Sequence, residues 1–156
     1  MKLILRAGGA MRAGPERDMV DDYMRRAKGL ARGLGFLDVD EQSVDLGKCR
    51  TRSDETLKLL DGLPSGGVVF VLDERGKAMP SRTFAKTLSD LRDDGRPAGT
   101  FLIGGADGFE PSALPHGVRK IGFGSQTWPH KLVRVMLAEQ IYRALSILAG
   151  TPYHRD

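Results

Sequence analysis

Hydrophobic residues along this chain fall into two rhythms that alternate from end to end. Short runs with little polar interruption occupy residues 2–7, 36–44, 68–72, 98–103 and 117–123. Between them, apolar residues recur every three or four positions, the period of a helix with one buried face. The first such segment opens at Gly14-Pro15-Glu16, where proline fits a first helical turn. It carries Met19, Val20, Tyr23, Met24, Ala27, Leu30, Ala31 and Leu34 until Gly33 and Gly35 stop it. Thr51-Arg52-Ser53-Asp54 has the pattern of a capping box, ahead of a short helix holding Leu57, Leu59 and Leu60. Pro80-Ser81 opens a third helix, with Phe84, Leu88 and Leu91 on one side, ending near Gly95. The last helix covers residues 129–149 and is apolar on more than one side.

The runs read as strands. Val68-Val69-Phe70-Val71-Leu72 is apolar without alternation, as a strand covered on both faces is. Residues 73–77 are polar and read as a turn away from it. In the second run Leu37 and Val39 alternate with acids, and the basic stretch that follows, with Lys48, Arg50 and Arg52, reads as an exposed loop. Strands alternating with helices predict an α/β domain with a mostly parallel sheet of about five strands. No repeat or linker divides it, so a single domain is expected over residues 1–156.

Composition narrows the class. A chain of 156 residues can close a real core. With 40% apolar and 28% charged residues it is globular rather than disordered. No apolar run approaches the ~18 residues of a membrane span, and residues 1–11 do not form a signal peptide. Cys49 is the only cysteine, which excludes a disulfide framework and a cysteine-based zinc site; a cytoplasmic location and no metal are expected. Net charge is +4, from 24 basic and 20 acidic residues, compatible with nucleic acid and equally with an ordinary small protein.

Ligands of an open parallel sheet bind beyond the carboxyl ends of its strands. Three such ends carry candidate chemistry: Leu72-Asp73, the glycine run 104–108, and the loop 123–128. The run IGGADGF is neither a dinucleotide fingerprint nor a P-loop. Its glycines let a ligand approach the backbone, or simply make a tight turn. The loop FGSQTWPH offers Ser125, Gln126, Thr127 and several amides to a neutral polar ring such as adenine; it also serves as a helix entry.

The final helix has one apolar face of Val133, Leu137, Ile141, Ala144 and Leu148, while Leu132, Val135, Met136 and Tyr142 leave the other side only partly polar. That pattern fits burial against a second copy of the chain related by a two-fold axis, or a helix deep in a single core, which is hard to arrange in 156 residues. His130, Arg134 and Arg143 decorate this helix, and Glu139 stands four residues before Arg143, the spacing of a surface ion pair. The terminal Tyr153-His154-Arg155 combines stacking, proton transfer and phosphate binding, although chain ends commonly fray.

Taken together, FLIGGADGF, FGSQTWPHKLVRVMLAEQIYRA and the terminal PYHRD resemble the pseudouridine N3-methyltransferases of bacterial large-subunit (23S) ribosomal RNA, members of the SPOUT class. The resemblance covers nearly the whole chain and is most specific from Leu102 onward. It implies a Rossmann-like α/β fold with a C-terminal trefoil knot, a homodimer packed through the last helix, and S-adenosyl-L-methionine as cofactor. It implies a substrate in the ribosomal RNA of the large subunit or whole ribosome, with no membrane involved. By match to the family motif, Leu72, Gly104 and Gly105 line the cofactor pocket, and Phe123, Gly124, Ser125, Gln126, Thr127 and Trp128 wrap the adenosine. Arg143 and His154 stand at the reaction site, and His130, Arg134, Tyr153 and Arg155 meet RNA. The sequence departs from the commoner pattern at Gly9-Ala10-Met11-Arg12, where a Gly-Lys-rich turn is usual, and in the short, cysteine-containing segment 45–55. Two other readings of the same residues stand beside this one: an RNA-binding module without catalysis, and a nucleotide-binding α/β protein.

Overall fold

The computed structural model describes residues 1–155; Asp156, the end of the expected domain, lies outside the described residues. Five strands, β1 (Lys2–Gly8), β2 (Asp38–Val44), β3 (Val68–Ala78), β4 (Ala98–Ile103) and β5 (Arg119–Gly122), form one sheet in the order β2-β1-β4-β3-β5, and every neighbouring pair is parallel. Four helices connect and cover them: α1 (Pro15–Ala31), α2 (Arg52–Leu60), α3 (Ser81–Asp93) and α4 (His130–Leu148). The central position of β4 follows from its sequence, since all six residues of Ala98–Ile103 are buried and only such a strand tolerates cover on both faces.

Successive side chains point to opposite faces of a strand. Leu3, Leu5, Phe70, Phe101 and Ile103 therefore pack with the buried faces of α1, α3 and α4. Val71 and Leu102 point the other way, where Leu59 of α2 and Phe109 close a smaller cluster. Phe101 anchors the larger one, stacked on Phe70 at 4.8 Å and met edge-on by Phe84 at 5.4 Å. Each such buried ring contributes about 1.5–3 kcal/mol over an exposed one. The Thr51 capping box forms as expected: its hydroxyl accepts from the Asp54 amide, and the Asp54 carboxylate accepts from the Thr51 amide.

Three expectations need correction. The second strand begins at Asp38, not at residue 36, because Phe36 turns into the core while Leu37 is left 65% exposed. On α4 the fully buried stripe is Val135, Leu137, Ala138, Ile141, Ala144 and Leu145, whereas Val133 and Leu148 are only half-buried. The largest difference is at residues 73–77, which do not turn away. β3 continues to Ala78, and Ile121 of β5 is partnered by both Leu72 and Lys77, so the segment folds over the last strand. Its fit depends on glycine. A Cβ at Gly76 would lie 2.3 Å from the Ile121 carbonyl carbon, and one at Gly122 would lie 2.8 Å from the Asp73 carbonyl oxygen.

Candidate active site

The ends of β3, β4 and β5 open on one cleft of about 630 Å³, within the size range of small-molecule sites. Leu72, Gly104, Gly105, Phe123, Gly124, Gln126, Thr127 and Trp128 all line it; of the expected cofactor residues only Ser125 does not, standing exposed in the same loop. Three stretches separated by tens of residues thus converge, because the parallel topology brings these strand ends side by side.

Local backbone geometry shapes the walls. The glycine run is indeed a tight turn: the Gly108 amide donates to the Gly105 carbonyl at 3.1 Å, and Gly108 takes φ 72°. A Cβ on Gly104 would meet the Gly108 backbone at 3.1 Å, so the turn needs a residue without a side chain and leaves backbone facing the cleft. The other loop closes on itself, with Gly124 at φ 97° and the Trp128 indole N–H donating to the Phe123 carbonyl at 3.2 Å. His130, the first residue of α4, donates its Nε2–H to the Gly104 carbonyl at 2.5 Å. This bond joins the two loops across the cleft floor.

The cleft also takes residues that the motifs did not single out. Ile103, Phe109 and Val133 add apolar surface, while Asp73, Glu74 and Asp107 face Arg52, Arg75 and Lys120 around the opening. Lys120 Nζ lies 3.5 Å from Asp73 Oδ2, and Arg52 pairs with Glu110 at 2.6 Å, which holds the Glu110 carboxyl below its ordinary range. Asp73 was signalled by its place at a strand end. Arg52 was hidden in a capping box, and nothing local to it announced a pocket.

The RNA-directed expectations divide. Arg134 is only 1% exposed, so it does not face an RNA. Its Nη2 donates to the Gly9 carbonyl at 3.1 Å, and its Nε lies 3.6 Å from Glu41, which also accepts from Arg17. Burial pushes the Arg134 guanidinium down, and the Glu41 charge opposes that shift. His130 belongs to the cleft wall rather than to an outer surface.

Arg143, Tyr153 and His154 come together at the far end of α4. Glu139 Oε1 accepts from Arg143 Nε at 2.9 Å, from Arg143 Nη2 at 2.6 Å and from the Tyr153 hydroxyl at 2.9 Å. Arg143 also lies over the Tyr153 ring, whose centre is 4.6 Å from that of Tyr142. Burial, with hydrogen bonds involving Tyr23 and Glu139, pushes the Tyr153 phenol up. Arg143 Nη1 is 3.2 Å from His154 Nδ1; a guanidinium only donates, so Nδ1 accepts. Arg155 is exposed beside them. The tail is therefore docked rather than frayed. Within one chain it is remote from the cleft, since α4 rises about 20 Å between His130 and Arg143.

A family model described as "Predicted SPOUT methyltransferase" matches residues 1–154. The chain is 48% identical over 156 residues to the Ribosomal RNA large subunit methyltransferase H of Maricaulis maris (strain MCS10), covering all of both chains. It is 48% identical over 155 residues to the protein of that name from Hyphomonas neptunium (strain ATCC 15444), and 42% identical over 159 residues to that of Rhodopseudomonas palustris (strain ATCC BAA-98 / CGA009), in each case over 99% of both chains.

Proposed function

Because the chain belongs to the SPOUT methyltransferase family, we propose that it methylates N3 of a pseudouridine in large-subunit ribosomal RNA, on the assembled ribosome in the bacterial cytoplasm, with S-adenosyl-L-methionine as donor. The observation that carries this reading is the glycine-walled cleft at the strand ends, into which separate motifs converge. Its chemistry suits the donor. Leu72, Ile103, Phe109 and Val133 provide apolar surface for a purine, and the backbone of residues 123–128 provides polar contacts for its edge. Asp73, Glu74 and Asp107 offer carboxylates to the ammonium and sulfonium charges. When bound, S-adenosylmethionine supplies an electrophilic methyl group on sulfur. We place the trefoil knot where residues 73–78 wrap β5.

Residues of the chain account for the rest. N3 carries a proton and is a poor nucleophile until it leaves. His154 is the proposed base, because a neutral imidazole nitrogen can accept a proton. Its Nδ1 lone pair is engaged by Arg143 in the free protein, so the two act in turn. Arg143 leaves Nδ1 to stabilise negative charge on the uracil carbonyl, and the released Nδ1 takes the N3 proton. Leu72, Gly104 and residues 123–128 would hold the donor, so that its methyl group passes to the deprotonated N3 and a neutral thioether leaves. Tyr153 stacks on a base and Arg155 meets a phosphate.

This arrangement requires two chains. The cleft and the tail lie towards opposite ends of α4, and Leu132 is 39% exposed on that helix, with Met136 and Tyr142 half-buried. A two-fold axis near the middle of α4 sets one copy's tail beside the other copy's cleft.

Two measurements test the reading. Calorimetric titration with S-adenosylhomocysteine is expected to show binding, and none up to millimolar concentration overturns it. Ribosomes lacking the modification, incubated with protein and donor, are expected to gain one methyl on the target nucleoside by mass spectrometry. Deleting residues 153–156 should leave a folded, cofactor-binding dimer that no longer methylates.

A further inference from the structure

We propose that Glu139 is a positioning residue, holding Arg143 and Tyr153 in the geometry that methyl transfer requires, and that Gln140 and Ser81 tie it to the strand walling the cofactor cleft. The proposal rests on the methyltransferase reading. By spacing alone Glu139 and Arg143 would be an ordinary, weak surface ion pair. The structure shows a different situation. The side chains are only 16% and 25% exposed, and four donors converge on one carboxylate. Three reach Oε1, from Arg143 and Tyr153, and the Gln140 amide reaches Oε2 at 2.7 Å. A carboxylate whose two oxygens are this fully engaged fixes the orientation of every group that donates to it.

The chain of bonds continues in both directions. On one side Arg143 Nη1 holds His154 Nδ1. On the other, the Ser81 hydroxyl donates to Gln140 Oε1 at 2.8 Å. Ser81 begins α3, directly after the Ala78-Met79-Pro80 exit of β3, and β3 carries Leu72, Asp73, Glu74 and Arg75 into the cleft wall. Gln140 also faces Phe123 and Met79 across a small cavity under that wall. A line of hydrogen-bonded side chains therefore runs from Ser81, just after β3, to the proposed base, with Glu139 as its branch point.

The test compares wild type with Glu139→Gln and Glu139→Ala in the full-length protein. Glutamine keeps an acceptor oxygen for Tyr153 but removes the charge opposite Arg143. Glu139→Ala is expected to lower thermal stability, since Arg143 and Tyr153 lose their acceptor, while S-adenosylhomocysteine titration is expected to change little, because Glu139 does not line the cleft. Amide exchange of residues 151–155 should speed up at least about tenfold in Glu139→Ala. On ribosomes kcat should fall about 100-fold, with a smaller change in KM, as expected for misplaced reacting groups. Glu139→Gln should recover part of both, and its loss should be non-additive with that of Tyr153→Phe. Unchanged exchange in Glu139→Ala, or lost protection with kcat within threefold of wild type, overturns the proposal. Wild-type protein that binds cofactor but never methylates ribosomes sinks the methyltransferase reading instead; exchange then still decides the anchoring, and unaltered protection refutes it.

Discussion

Gly76→Ala is a single methyl group placed where the fold has no room for one. The new Cβ would lie 2.3 Å from the Ile121 carbonyl carbon, 2.5 Å from its oxygen and 2.8 Å from the Gly122 nitrogen. Carbon atoms rest at about 3.5–4.0 Å, so the backbone must part by more than about 1 Å. None of the obstructing atoms belongs to a side chain that can swing aside. The segment therefore lifts from β5 and loses the pairing of Lys77 and Ala78 with Ile121 and Gly122. Overpacking costs about 1–3 kcal/mol and each lost backbone bond about 0.5–1.5 kcal/mol, so about 3 kcal/mol in all is expected. For a chain of this length that lowers Tm by about 6–12 °C, at equal protomer concentration.

Gly29→Ala is the matched control. Gly29 is exposed within α1, and an added Cβ there meets nothing within 4 Å. It should raise stability by about 0.5–1 kcal/mol through helix propensity. Thermal and urea unfolding of both variants give the comparison, and S-adenosylhomocysteine titration reads the cleft. Because the lifted segment carries Asp73, Glu74 and Arg75, Gly76→Ala should also weaken cofactor binding by at least about tenfold, or 1.4 kcal/mol. A Tm within 2 °C of wild type at unchanged affinity would refute the seating of residues 73–78 on the last strand.

Two further outcomes follow from buried polar groups. Glu41→Gln removes the counter-charge from Arg134 and from Arg17, which Glu41 binds through both oxygens; urea unfolding should show a loss of about 3–5 kcal/mol, and a loss under about 1 kcal/mol would mean that the Gly9 carbonyl alone suffices for Arg134. The Tyr153 phenol is pushed up, so its folded pKa exceeds its unfolded one; its hydrogen bond to Glu139 should contribute fully below the ordinary tyrosine value of about 10 and be lost only as pH rises through the higher folded value. The tyrosinate absorbance missing from Tyr153→Phe should accordingly appear above that ordinary range, and its appearance at about 10 would contradict the docked tail.

Much of this was legible because the hydrophobic rhythm is local. Residues 98–103 are fully buried from end to end and were read as a strand with those bounds. The Thr51 capping box formed where its four residues stood. The cleft was legible for a topological reason, since parallel strands deliver their carboxyl ends to one side. What escaped was non-local. Nothing in Asp73-Glu74-Arg75-Gly76-Lys77 announces that it wraps a strand more than forty residues away, because the contacts are backbone on backbone and only Gly76 and Gly122 mark them. Arg134 escaped because helical period identifies a face but not a burial partner. Its counter-charge Glu41 stands on β2, and Arg17 joins it from α1.

The same distinction explains the roles at the two ends of α4. Its N-terminal residue His130 is fixed by the Gly104 carbonyl, which ties the helix to the cleft floor. The helix of nineteen residues ends at Leu148, and the tail folds back only far enough to reach Glu139 and Arg143. A helix cannot bend to bring its ends together, and at 1.5 Å per residue this one holds the proposed donor pocket and the proposed base apart. The hydrogen bonds that order the tail on its own helix therefore also keep it out of its own cleft. If Arg143 and His154 act on a methyl group, the rigidity of α4 leaves them a second copy's cleft to act in. The exposed Leu132 and the half-buried Met136 of the same helix are apolar side chains that such a copy would cover.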